Sequence, residues 1–169
     1  ELRQHYGVRE VILVGDRGMI TPQNFVELKD QKGLRLISAL THREIQELLE
    51  RKVMQLGLFD ERQIAEVVDP LDATLRYCLC RNPESAQRET RTRDALMKRT
   101  ALALTRIATR KKRTSPQRIG EQVGKVLAKT KMGKLIHWTV TDDRLEWQWK
   151  EARLGDEQAL DGCYVIRTT

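Results

Sequence analysis

VREVILVGDRGMITPQNFVELKDQKGLRLISAL, residues Val8 to Leu40, decides the fold class. Its opening, Val8 to Gly15, is a short apolar run rich in β-branched residues, the pattern of a strand buried on both faces. Asp16-Arg17-Gly18 follows as a turn. Thr21 suits an N-cap and Pro22 a first helical position, so a helix starts there. Phe25, Val26 and Leu28 supply its inner face, and Gly33 ends it. Leu34 to Leu40 reads as a second strand. Thr41-His42-Arg43-Glu44 is a capping box, and Ile45, Leu48 and Leu49 continue it at helical spacing. Strand, helix, strand, helix is an α/β opening.

Working outward, Gly57 to Thr74 gives mixed signals with a break at Pro70. Leu75 to Cys80 can form another strand, and Asn82-Pro83 punctuates the chain. From Glu84 to Lys112 there is neither Gly nor Pro, and Leu96, Ala103, Leu104, Ile107 and Ala108 share a helical stripe. Ser115 and Pro116 open a second helix with Ile119, Val123, Val126 and Leu127 on its apolar side, closed by Gly133. The two stripes predict a helical hairpin. Ile136, Trp138 and Val140 alternate, as do Leu145, Trp147 and Trp149, which predicts a β-hairpin with one aromatic face. Cys163 to Arg167 is a last strand, entered through Asp161-Gly162.

The 169 residues are about one domain's worth, and 40% of them are hydrophobic, enough for a real core. No apolar run approaches the roughly 18 residues of a membrane span, so no membrane partner is expected. Glu1 to Gly7 is polar, so no signal peptide is expected in this stretch. The first residue, Glu1, is not Met, which suits a segment of a longer frame. Three cysteines cannot build a disulfide framework and suit a reducing, cytoplasmic interior. The net charge of +7 is unevenly placed: residues 84–134 hold 15 Lys/Arg against 4 Asp/Glu, while the remainder is net acidic. An acidic body with one basic block points to a polyanion, most often nucleic acid.

Three features could carry chemistry. Asp16 sits just past the carboxyl end of a strand, where open α/β sheets place their ligands. A carboxylate there either holds Mg²⁺, a hard ion that prefers oxygen, or simply caps a turn. In the basic block, Arg88, Arg91, Arg99, Arg106, Arg110, Lys111, Lys112, Arg113, Arg118, Lys125 and Lys129 either contact a phosphate backbone or form a solvated helix face. Its acids are too few to pair them along the helices. The face of Trp138, Trp147 and Trp149 reads as core before it reads as a base-stacking platform. Glycines 15 and 18 do not make a dinucleotide fingerprint. Cys78 and Cys80 have the wrong spacing for a zinc knuckle, His5, His42 and His137 are scattered, and Asp142, Asp143, Asp156 and Asp161 read as turn residues.

Four segments together resemble a known family. VILVGDRGMIT (Val11 to Thr21) resembles the second-aspartate segment of DDE transposases of bacterial insertion sequences, and GLRLISAL (Gly33 to Leu40) resembles their next strand. RYCLCRNPESAQRETRTRDALMKRT (Arg76 to Thr100) is similar to the strand and Arg-rich helix of their long insertion, and LDGCYVIRTT (Leu160 to Thr169) to their return into the core. The type-4 insertion-sequence branch fits best. The resemblance implies an α/β fold: a partial RNase H-like core over residues 1–56, an insertion with a basic helical hairpin and a β-hairpin over 57–159, and a return strand over 160–169. It implies an enzyme that cuts and joins DNA through two Mg²⁺ (or Mn²⁺) ions held by Asp, Asp and Glu. Asp16 would be the second Asp; the other two acids have no counterpart here, so this segment alone should be inactive. Double-stranded DNA, a homodimer in the full enzyme and a nucleoid-associated location follow from the same resemblance. The alternative is a non-catalytic nucleic-acid-binding module built on the basic hairpin.

Overall fold

The computed structural model describes residues 5–110 and 114–169. The chain divides into two compact units, one of Glu1–Pro83 with Gly162–Thr169, the other of Glu84–Asp161. Among the described residues the two units together carry five bounded α-helices, a mixed five-stranded sheet and a two-stranded one, an α/β chain of the α+β kind.

The first unit contains β1 (Val11–Gly15), α1 (Pro22–Lys29), β2 (Leu34–Ala39), α2 (His42–Glu50), β3 (Ala65–Asp69), β4 (Asp72–Arg81) and the final strand, β7 (Cys163–Thr168). The sheet order is β1-β2-β7-β4-β3. Among the described residues β1 and β2 run parallel and the other neighbours are antiparallel. The local signals act as read. The Thr21 hydroxyl accepts from the Asn24 N–H with Pro22 at the first turn. At α2 the Thr41 and Glu44 side chains cap each other's backbone N–H reciprocally. Leu36, Leu79 and Val165, from neighbouring strands, are fully buried on one face of the sheet. Phe25 and Ile45 bring α1 and α2 into the buried core of this unit.

One expectation needs correction here, and one open stretch is resolved. The run at β1 is not buried on both faces: Ile12, Leu13 and Val14 are 57%, 40% and 67% exposed. The reason is position, since among the described residues β1 pairs only with β2 and stands at the sheet edge. The ambiguous stretch before Leu75 contains β3, which forms a hairpin with β4 and joins the same sheet as β1 and β2.

The second unit contains α3 (Pro83–Ala108), α4 (Pro116–Thr130), β5 (Ile136–Thr141), β6 (Arg144–Trp149) and α5 (Glu151–Ala159). The predicted stripes meet: Leu104, Ile119 and Val123 are buried together with Leu135, Ile136 and Leu145. Trp138, Trp147 and Trp149 pack partly buried against this core, with the Trp147 and Trp149 rings edge to face at 5.9 Å. The turn between β5 and β6 places Asp142 and Asp143 at φ of 49° and 61°, as a two-residue hairpin turn requires. Asp156 lies within α5, not in a turn; α5 was hidden because its only buried apolar residue is Leu154. Among the described residues no helix is long and apolar enough to cross a membrane.

Candidate functional site

Asp16 leaves the carboxyl end of β1 and is exposed. Gly15 before it is needed for space, because a Cβ there would stand 2.8 Å from Ile20 Cγ1. The turn is closed by the Met19 N–H donating to the Asp16 carbonyl at 3.0 Å, with Gly18 at φ 75°. Asp16 Oδ1 accepts from the Arg17 N–H at 2.7 Å. Among the described residues no side chain is bonded to that carboxylate, so it faces water.

Arg17 fixes the turn. Its Nη2 donates to the Cys163 carbonyl at 2.8 Å, and its guanidinium carbon lies 4.3 Å from the centre of the Tyr164 ring. The first turn residue after Asp16 is thereby strapped to the start of β7, about 150 residues away in the chain. Sequence reasoning missed Arg17 and Tyr164. An Arg in a Gly-flanked turn is a weak signal, and its partners lie too far along the chain to be paired by inspection.

Among the described residues no group of three His, Cys, Asp or Glu is placed to hold a metal ion. One exposed carboxylate provides too few donors for a divalent pair, so these residues by themselves do not fit the metals that the resemblance implies. Cys78 and Cys80 lie on one face of β4, and burial raises the Cys78 thiol above its ordinary range. A separate ion pair of the unit joins Lys29 Nζ to Asp72 Oδ2 at 2.9 Å. Hydrogen bonds from Thr74 and then Lys29 hold Asp72 down to about 2, and Asp72 in turn raises Lys29.

The basic residues divide into three groups. Arg88, Arg91, Arg99 and Arg106 on α3, Arg110 just beyond it, and Arg118, Lys125 and Lys129 on α4 are exposed, and none has an ion-pair partner among the described residues. Lys111, Lys112 and Arg113 lie outside the described residues. Arg93, by contrast, is consumed internally. It is paired through both Nη atoms with Asp161, at 2.6 Å for Nη1 to Oδ1, and Thr90 Oγ1 donates to the same carboxylate at 2.9 Å. Asp161 is therefore more than a turn residue, being 5% exposed. Lys98, which sequence reading passed over, is exposed on α3 with the free arginines.

No family model, curated protein or solved structure matches this chain.

Proposed function

We propose that the chain is a segment of a DDE transposase of the insertion-sequence type, a partial RNase H-like core with its insertion, in which Asp16 is one of three metal-binding acids. The observation that carries the reading is the placement of Asp16. It is an exposed carboxylate, bonded only to the Arg17 N–H among the described residues, at the carboxyl end of β1 in a parallel β1-α1-β2 unit, which is where such sheets put their chemistry. The strap from Arg17 to β7 supports it, because a carboxylate meant for reaction needs a fixed turn beneath it. On this reading the other two acids belong to chain outside these 169 residues, and the segment alone cuts nothing. The test is the surrounding reading frame, followed by expression of the longer chain. The longer chain is expected to nick supercoiled DNA only with Mg²⁺ or Mn²⁺, and Asp16→Asn to abolish the nicking. Nicking that survives Asp16→Asn overturns the assignment, as does a frame with no strand-end Asp upstream and no helical Glu downstream.

A second reading has its own observation. Eight cations of the described basic helices are exposed and unpaired while Arg93 is not. On that reading the chain is a non-catalytic nucleic-acid-binding module whose working part is residues 84–134.

A further inference from the structure

The free cations are not scattered over α3. At 3.6 residues per turn, Arg88, Arg91, Lys98, Arg99 and Arg106 fall within about 100° of its circumference. Thr100 and Leu104, both fully buried, mark the opposite side. From Arg88 to Arg106 no Asp or Glu falls within that arc; Glu89 and Asp94 lie outside it. The row is about 27 Å long at about 1.5 Å per residue, on one continuous helix.

We propose that this face of α3 is a docking surface for the phosphate backbone of a nucleic acid duplex. The argument is one of matching arrays. A small anion meets one or two of these side chains, whereas a duplex offers a phosphate about every 1.7 Å of its axis and can engage the whole row. Four of the five cations are arginines, whose planar guanidinium binds phosphate oxygens two at a time. Single strands are held largely by stacking on aromatic rings, and α3 contains no Phe, Tyr or Trp. The face reads no bases, so binding is indifferent to sequence. Docking here rests on the nucleic-acid-binding reading of the basic helices and is independent of Asp16.

The experiment is a salt titration of the 169-residue chain against a duplex of arbitrary sequence, as DNA and as RNA, with a single strand of equal length for comparison. Five phosphate contacts predict a log–log slope near about −4.5, a loss of about 500-fold in affinity between about 50 and 200 mM salt. Arg88→Gln, Arg99→Gln and Arg106→Gln together should flatten the slope by about 3, whereas Arg118→Gln, Lys125→Gln and Lys129→Gln, an equal change in charge on α4, should leave it nearly unchanged. Ala95 is exposed and on the same arc, so Ala95→Lys should steepen the slope by about 1. Equal losses from the two triple variants overturn the α3 face while leaving the broader reading standing. Tighter binding to the single strand overturns the duplex. Absence of salt-dependent binding overturns both the face and the module.

Discussion

At the scale of single residues, the buried pair of Arg93 and Asp161 fixes how α3 meets the end of its unit. The two side chains are 11% and 7% exposed. The bond to Asp161 holds the Arg93 guanidinium above its ordinary range. Two desolvated charges this close are worth little as a net gain, but removing one strands the other. Asp161→Ala is therefore expected to cost about 3 kcal/mol in urea denaturation. Arg93→Met with Asp161→Leu, which removes both charges, should recover most of it. A single substitution as mild as the double one would mean that water reaches Arg93 freely. Asp16 behaves in the opposite way. Its carboxylate serves only the Arg17 N–H, so Asp16→Asn should leave stability nearly untouched, which makes it a clean probe of chemistry.

At the scale of elements, the reciprocal cap at α2 is the clearest case of sequence dictating structure. The Glu44 carboxylate accepts from the Thr41 N–H and from its hydroxyl, each at 2.8 Å, and the Thr41 hydroxyl accepts from the Glu44 N–H. Thr41→Ala is expected to destabilise the chain by about 1 kcal/mol and Thr41→Ser to restore it, measured by chemical denaturation. A neutral Thr41→Ala would mean that packing of Ile45 and Leu48 alone holds the helix start. Elements whose signals are local were legible in this way: both caps, the helical stripes of α3 and α4, and the alternating Trp hairpin. What was not legible depends on distant partners. The β1 run gave its strand but not its exposure, because edge or centre is decided by which strands pair with it. The β3 strand has only five residues, two of them exposed, and gains its identity from pairing with β4. The site followed the same division. Asp16 and the free arginines could be named from the sequence, since strand ends and cation-rich helices have local signatures. Arg17 on Tyr164, and the withdrawal of Arg93 from the basic set, are long-range facts.

At the scale of the whole molecule, the partition of charge follows the partition of structure. The unit Glu84–Asp161 holds 18 Lys/Arg against 11 Asp/Glu and so carries the entire net charge of +7, while the other unit holds 13 of each and is neutral. The contrast of acidic body and basic block is thus softened, because the acids of the β-hairpin and α5 belong to the basic unit. The neutral unit is discontinuous in sequence but continuous in space. At the junction Arg81 and Cys163 are paired across β4 and β7, and the Asn82 N–H donates to the Gly162 carbonyl at 2.9 Å. Chain ends that already meet across a ladder need only a short turn to join them. Removing residues 84–161 and closing the gap with a few glycine-rich residues should therefore leave a sheet unit that unfolds cooperatively on heating. Residues 84–161 expressed alone have their own buried cluster around Leu104, Val123 and Leu135 and should do the same. Duplex binding should go wholly with the second piece and keep the salt slope of the intact chain, since every cation of the α3 face lies in it. Binding by the neutral sheet unit with a comparable slope would place the nucleic-acid surface beside Asp16 instead, and would make the helical unit a structural insertion.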